Sequence, residues 1–160
     1  MHPPALLLGS STDMLSKARR ELARMRDDVN IDTVFNFFVT AYHIQDYLRA
    51  EAPNRAGDVD ALLADPDLIV CRSICNQGKH LRVDRRASPV GEKLSGRSGV
   101  VGIGVVGEMV VGAGIVWDLT YDGASHDPIA LAERVLTKLE KFFVALGIST
   151  AQCSKCGAAV

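Results

Sequence analysis

No apolar run in this chain reaches the roughly 18 residues that a bilayer-spanning helix needs. A transmembrane span is therefore not expected. The start, MHPPALLLGS, has an apolar run of four residues, Ala5 to Leu8, and no basic segment before it. It does not read as a secretory signal. The expected compartment is the cytoplasm. Charge of one sign is also missing: the net value is −1, so the chain as a whole exerts no pull on nucleic acid or membrane. Cysteine is scarce. The four occur as two close pairs, and a reducing compartment argues against reading either pair as a structural disulfide. No P-loop, H-E-x-x-H or Ser-His-Asp order is present. Gly102, Gly104 and Gly107 formally match a dinucleotide fingerprint, but a second strand follows them instead of a helix, so the match carries no weight.

What is present is helical periodicity in 160 residues, a length that suits one domain with a real core. Ser11, Thr12 and Asp13 are N-cap candidates for a helix over about 12–27. A second helix is expected over about 31–52 with two stripes. Val34, Phe37, Phe38, Ala41, Ile44 and Leu48 are apolar. Asn36, Thr40, His43 and Tyr47 are polar and share one face. That polar stripe is either a solvated face or a polar seam buried between helices, facing the motif in the next helix. PNRAGD reads as a linker, and a short turn should follow over 58–64. A third helix opens at Asp65-Pro66 and is expected to run to about 82. Residues 84–98 read as a polar loop. The Gly- and Val-rich stretch after it predicts two strands, about 99–106 and 109–121, turning near Gly107-Glu108. The last helix has Asp127 as cap, Pro128 first and Gly147 as stop.

The expected fold is mainly α, a four-helix bundle with a Gly-rich β-hairpin inserted between helices 3 and 4. Residues 1–148 form the single domain, and 149–160 a flexible tail. A two-stranded hairpin alone is marginal, so it must lie on the helices or pair with another chain. A homodimer is the expected assembly.

Charge is segregated locally. From Arg72 to Arg97 there are seven Lys or Arg against two acids, Asp84 and Glu92. Within that segment, Arg72, Asn76 and His80 follow an i, i+4, i+8 row on the third helix, and Cys71, Cys75 and Lys79 form the row beside it. A basic patch of this kind is the usual footprint of a phosphate-bearing partner such as RNA or a nucleotide. Cleaving RNA through its own 2′-hydroxyl needs an acid or base that works near neutral pH, which His80 supplies. It also needs a fixed cation on the phosphate, and Arg72 serves best through paired donors. Asn76 would orient His80 or bond the phosphate. Lys79, Arg82, Arg85 and Arg86 would add binding charge. His43 joins the substrate-binding set, with Asp46 three residues on to orient its imidazole. The bland alternative has Asn76 and His80 satisfying each other or helix ends in the core while the arginines are solvated.

An all-helical bundle with Arg and His on one inner helix resembles the HEPN superfamily, many of whose members are metal-independent RNases. The resemblance implies that Arg72, followed by the polar Ser73, takes the Arg position and His80 the His position. It also implies an active site formed where two copies meet. Seven residues separate Arg72 from His80, one more than the longest spacer of that pattern, and in an N-x-x-x-H reading Asn76 stands where Arg belongs. The closer resemblance, over about 12–148, is to a group of uncharacterised bacterial proteins. They pair an FNFFVTAYHIQDY-like helix with a C…N…KH-like helix, then a Gly-rich strand region and a terminal helix.

Cys153-Ser-Lys-Cys156-Gly is half of a zinc knuckle. Structural zinc wants four ligands, so no cofactor is expected and the tail should be unstructured. The competing function is a noncatalytic protein-interaction module that self-associates through the Gly-rich hairpin.

Overall fold

The computed structural model describes residues 8–79, 93–97, 116–121 and 124–150. The chain is mainly helical, with a small antiparallel sheet before the last helix. Helix α1 spans Ser11–Asp27 and α2 spans Ile31–Glu51. A single 3-10 turn over Pro53–Arg55 leads into α3, Ala56–Leu63, and α4 follows as Pro66–Lys79. Strands β1 (Lys93–Arg97), β2 (Val116–Tyr121) and β3 (Ala124–His126) precede α5, Pro128–Ala145.

Local chemistry sets the helix ends. Ser10, one residue earlier than expected, caps α1 by accepting from the Asp13 amide at 3.1 Å. Asn30 and Thr33 form a reciprocal capping box at the start of α2. Asp127 accepts from the Ile129 and Ala130 amides, and Pro128 takes the first position of α5, where its missing N–H costs nothing. Gly147 ends α5 with φ +72°. Its N–H donates to Val144 and the Ile148 N–H to Phe143, which closes a Schellman motif.

Helix α2 is the centre of the fold and packs on α1, α4 and α5. Its expected apolar stripe is the buried one: Val34, Phe37, Phe38, Ala41, Ile44 and Leu48 are all sequestered. Phe37 and Phe38 meet edge to face, with ring centroids 5.1 Å apart. Helix α5 adds Leu131, Val135, Leu139 and Phe143 to the same core. Long-range caps tie the layers together. Glu51, at the end of α2, accepts from the Ser11 amide and hydroxyl at 2.7 and 2.5 Å, so it caps α1 from across the helix pair. Arg19 on α1 reaches Glu140 on α5 and the Thr150 carbonyl, both at 2.8 Å.

The sheet differs from expectation. Its order is β1-β2-β3, with Lys93 opposite Thr120, Arg97 opposite Val116, and Leu119 opposite His126. Residues 93–97 therefore form a strand where a polar loop was expected, and the short strand at 124–126 was not foreseen. Pairing with β2 supplies the backbone partners that local sequence does not advertise. The expected strand over 99–106 and its turn lie outside the described residues, as do 109–115 of the expected second strand. No helix among the described residues is long and apolar enough to cross a membrane.

Candidate functional site

The polar stripe of α2 divides along its length. Asn36 is exposed, Thr40 is buried, and His43 and Tyr47 are half-buried. Thr40 is engaged from α1, where the Lys17 ammonium donates to its hydroxyl at 2.5 Å. The same ammonium lies 3.2 Å from Glu21 Oε1, which also accepts from Arg24 at 2.8 Å. Glu21 is almost fully buried, and its Oε2 has no hydrogen-bond partner among the described residues. So the buried Thr40 and Glu21 are joined through Lys17, with the exposed Arg24 closing the group from the surface.

His43 turns the other way, toward α4. Its Nδ1 lies 2.7 Å from Asp46 Oδ2, and its Nε2 lies 3.6 Å from Cys75 Sγ. A carboxylate only accepts, so Nδ1 carries the proton of the neutral ring, and Nε2 then accepts from the thiol. The result is a thiol–imidazole–carboxylate chain across two helices. The imidazole is 29% exposed and the carboxylate 58%, whereas Cys75 is fully buried. The Tyr42 ring stands edge-on to His43 at 5.8 Å.

Helix α4 is buried on most sides through Leu68, Val70, Cys71, Ser73 and Cys75. Arg72 lies on its exposed side, and Asn76 beside it is half-buried. Neither side chain makes a hydrogen bond or ion pair with another described residue. Arg72 is thus a solvated cation one turn from Cys75. Lys79 is the last described residue of α4. His80, Arg82, Arg85 and Arg86 lie outside the described residues, and so do Cys153 and Cys156.

The start of α4 is held by charge. Asp65 accepts from the Asp67 amide at 2.9 Å and from Lys138 of α5 at 2.6 Å. Asp67 accepts from Lys138 at 2.7 Å and from both Nε and Nη2 of Arg134 at 3.2 Å. Burial alone would raise the Asp67 pKa, but the bonds and charges of Arg134 and Lys138 outweigh it and hold it below the ordinary 3.8. Burial likewise works against the Lys138 ammonium, yet Asp65 and Asp67 keep its pKa above 10.5. This clamp fixes the helix that carries Arg72 and Cys75.

Both helical cysteines are buried thiols, neither of them in a disulfide. They are small residues packed in the interior, but they are not equivalent. Cys71 belongs to the apolar core, where burial, with Asp67 and Cys75 adding to it, pushes its thiol well above the usual range. Cys75, one turn on, meets the imidazole. Sequence reasoning placed His43 with Asp46 and missed Cys75 as the third member, because two cysteines four apart look alike until the facing helix is known.

Among the described residues, no group of three or more His, Cys, Asp or Glu is arranged to hold a metal ion. No protein-family model, no curated protein and no solved structure matches this chain.

Proposed function

We propose that the chain is an HEPN-like RNA-cleaving or RNA-binding protein, acting without a metal along the Arg72–His80 segment and the facing edge of α2. In this reading the four long helices are the bundle, the Gly-rich segment between α4 and α5 is the inserted hairpin, and the working form is a cytoplasmic homodimer. One observation carries the proposal: an exposed Arg72, with no side-chain partner among the described residues, shares α4 with the residue that meets the His43–Asp46 pair. A guanidinium with no partner among the described residues suits a phosphate, and His43 lines the substrate side of the facing edge of α2. Asn76, half-buried and with no side-chain partner among the described residues, adds a polar group able to bond the phosphate. The local excess of Lys and Arg from Arg72 to Arg97 supports the same class of ligand.

The test is binding and cleavage of a fluorescent single-stranded RNA over a range of salt concentrations. Affinity should fall steeply with salt. Arg72→Ala should weaken binding and flatten the salt slope by about one unit, the contribution of one phosphate contact. His80→Ala should abolish cleavage and largely spare affinity, and cleavage should persist in EDTA. An absence of salt-dependent RNA affinity refutes the proposal. Self-association without any RNA affinity supports instead the interaction module built on the Gly-rich hairpin.

A further inference from the structure

The imidazole of His43 directs Nε2 at a sulfur, not at solvent. We propose that Cys75 is the reactive thiol of this chain, a site for thiol–disulfide exchange with a low-molecular-weight disulfide, with His43 as its base and Asp46 as the group that orients the base. This goes beyond the RNA reading and holds whether or not that reading does.

The geometry is that of an activated nucleophile: a thiol within reach of a base, and the base fixed by a third group. Proton transfer from Sγ to Nε2 leaves a thiolate beside an imidazolium, and the Asp46 carboxylate, 2.7 Å from Nδ1, stabilises the imidazolium. The exchange step balances simply. The Cys75 thiolate attacks one sulfur of the disulfide, a new S–S bond forms and the old one breaks. The departing thiolate takes the proton from His43. Cys75 is oxidised and the released half is reduced.

Cys75 is fully buried, so the reagent reaches it through a local opening of the surrounding packing that leaves the His43 contact in place. The chain contains its own control for that opening. Cys71 lies one turn away on the same helix and is equally buried, but it packs in the apolar core. Because the Asp67 carboxylate also acts on Cys71, it is the part of the rate difference removed by His43→Gln that reports the base. Trypsin cleaves after Arg72, which places Cys71 and Cys75 on separate peptides.

The experiment uses the reduced, folded full chain. It is exposed to 2-hydroxyethyl disulfide, and in parallel to iodoacetamide, with timed quenching and peptide mass spectrometry. Cys75 should react at least about tenfold faster than Cys71, a modest part of the 10²–10⁴ that a positioned base contributes. His43→Gln should bring the ratio close to one, and Asp46→Asn should lower it in part. Circular dichroism on each variant separates a lost base from a lost fold. Equal rates for Cys71 and Cys75 in the parent protein overturn the proposal, and so does a ratio that His43→Gln leaves unchanged in a folded variant. Neither result depends on RNA, so failure here and failure of the RNA reading are distinguishable.

Discussion

Replacing Asp67 by Asn should loosen the clamp that holds α4 against α5. The carboxylate accepts two bonds from Arg134 at 3.2 Å and one from Lys138 at 2.7 Å. It also sits in the first turn of α4, where the positive helix end favours an anion by about 0.3–1 kcal/mol. Hydrogen bonds to charged groups contribute about 1.5–3 kcal/mol when sequestered. Arg134 is half-exposed, however, and exposed ion pairs contribute about 0.2–1 kcal/mol. Asparagine keeps the shape and one acceptor, and Asp65 still holds Lys138. The expected loss is therefore about 1–2 kcal/mol at neutral pH, or a fall in Tm of about 2–8 °C for a chain of this size. The pH dependence follows from the two shifts. Asp67 has its folded pKa held below 3.8, so its contribution is full above that value and is lost as pH falls through the lower, folded value. Lys138 has its folded pKa raised above 10.5, so its contribution is full below that value and is lost as pH rises through the higher, folded value. The gap between parent and variant should be flat over roughly pH 5–9 and close in acid. Urea denaturation of both proteins at neutral and acid pH measures it. No gap at neutral pH, or an undiminished gap in acid, would refute the clamp.

Two further outcomes test the core and the end of α5. Phe38→Ala removes a fully buried ring that packs on Phe37 and should cost about 3–5 kcal/mol in denaturant unfolding. Gly147→Ala meets no atom within 4 Å of the added Cβ, so its cost should be the backbone penalty at φ +72° alone, about 1–2 kcal/mol by thermal melting.

The helices were legible in the sequence because their causes are local. Asp127-Pro128 and Gly147 bracket α5 through caps that involve neighbours a few residues away. The stripe from Val34 to Leu48 names the buried face of α2 because a period of 3.6 residues needs no partner to be recognised. The His43–Asp46 bond was legible for the same reason, since residues three apart on a helix are neighbours. The sheet was legible only in part. Residues 93–97 carry no alternation of apolar side chains, and a strand of that kind is defined by its partner at 116–120. The facing of helices was legible only as one of two alternatives for the α2 stripe, without its partners. Nothing within α2 says that Thr40 meets Lys17 of α1 while His43, less than a turn away, meets Cys75 of α4. Nothing within α4 separates Cys75 from Cys71. Those pairings depend on how whole helices cross, which the summed packing of the core decides and no local pattern records. Sequence alone determined which residues this protein could use as base, cation and thiol. The tertiary structure decided which of them touch, because a hydrogen bond between helices needs a relative placement that only the packed core fixes.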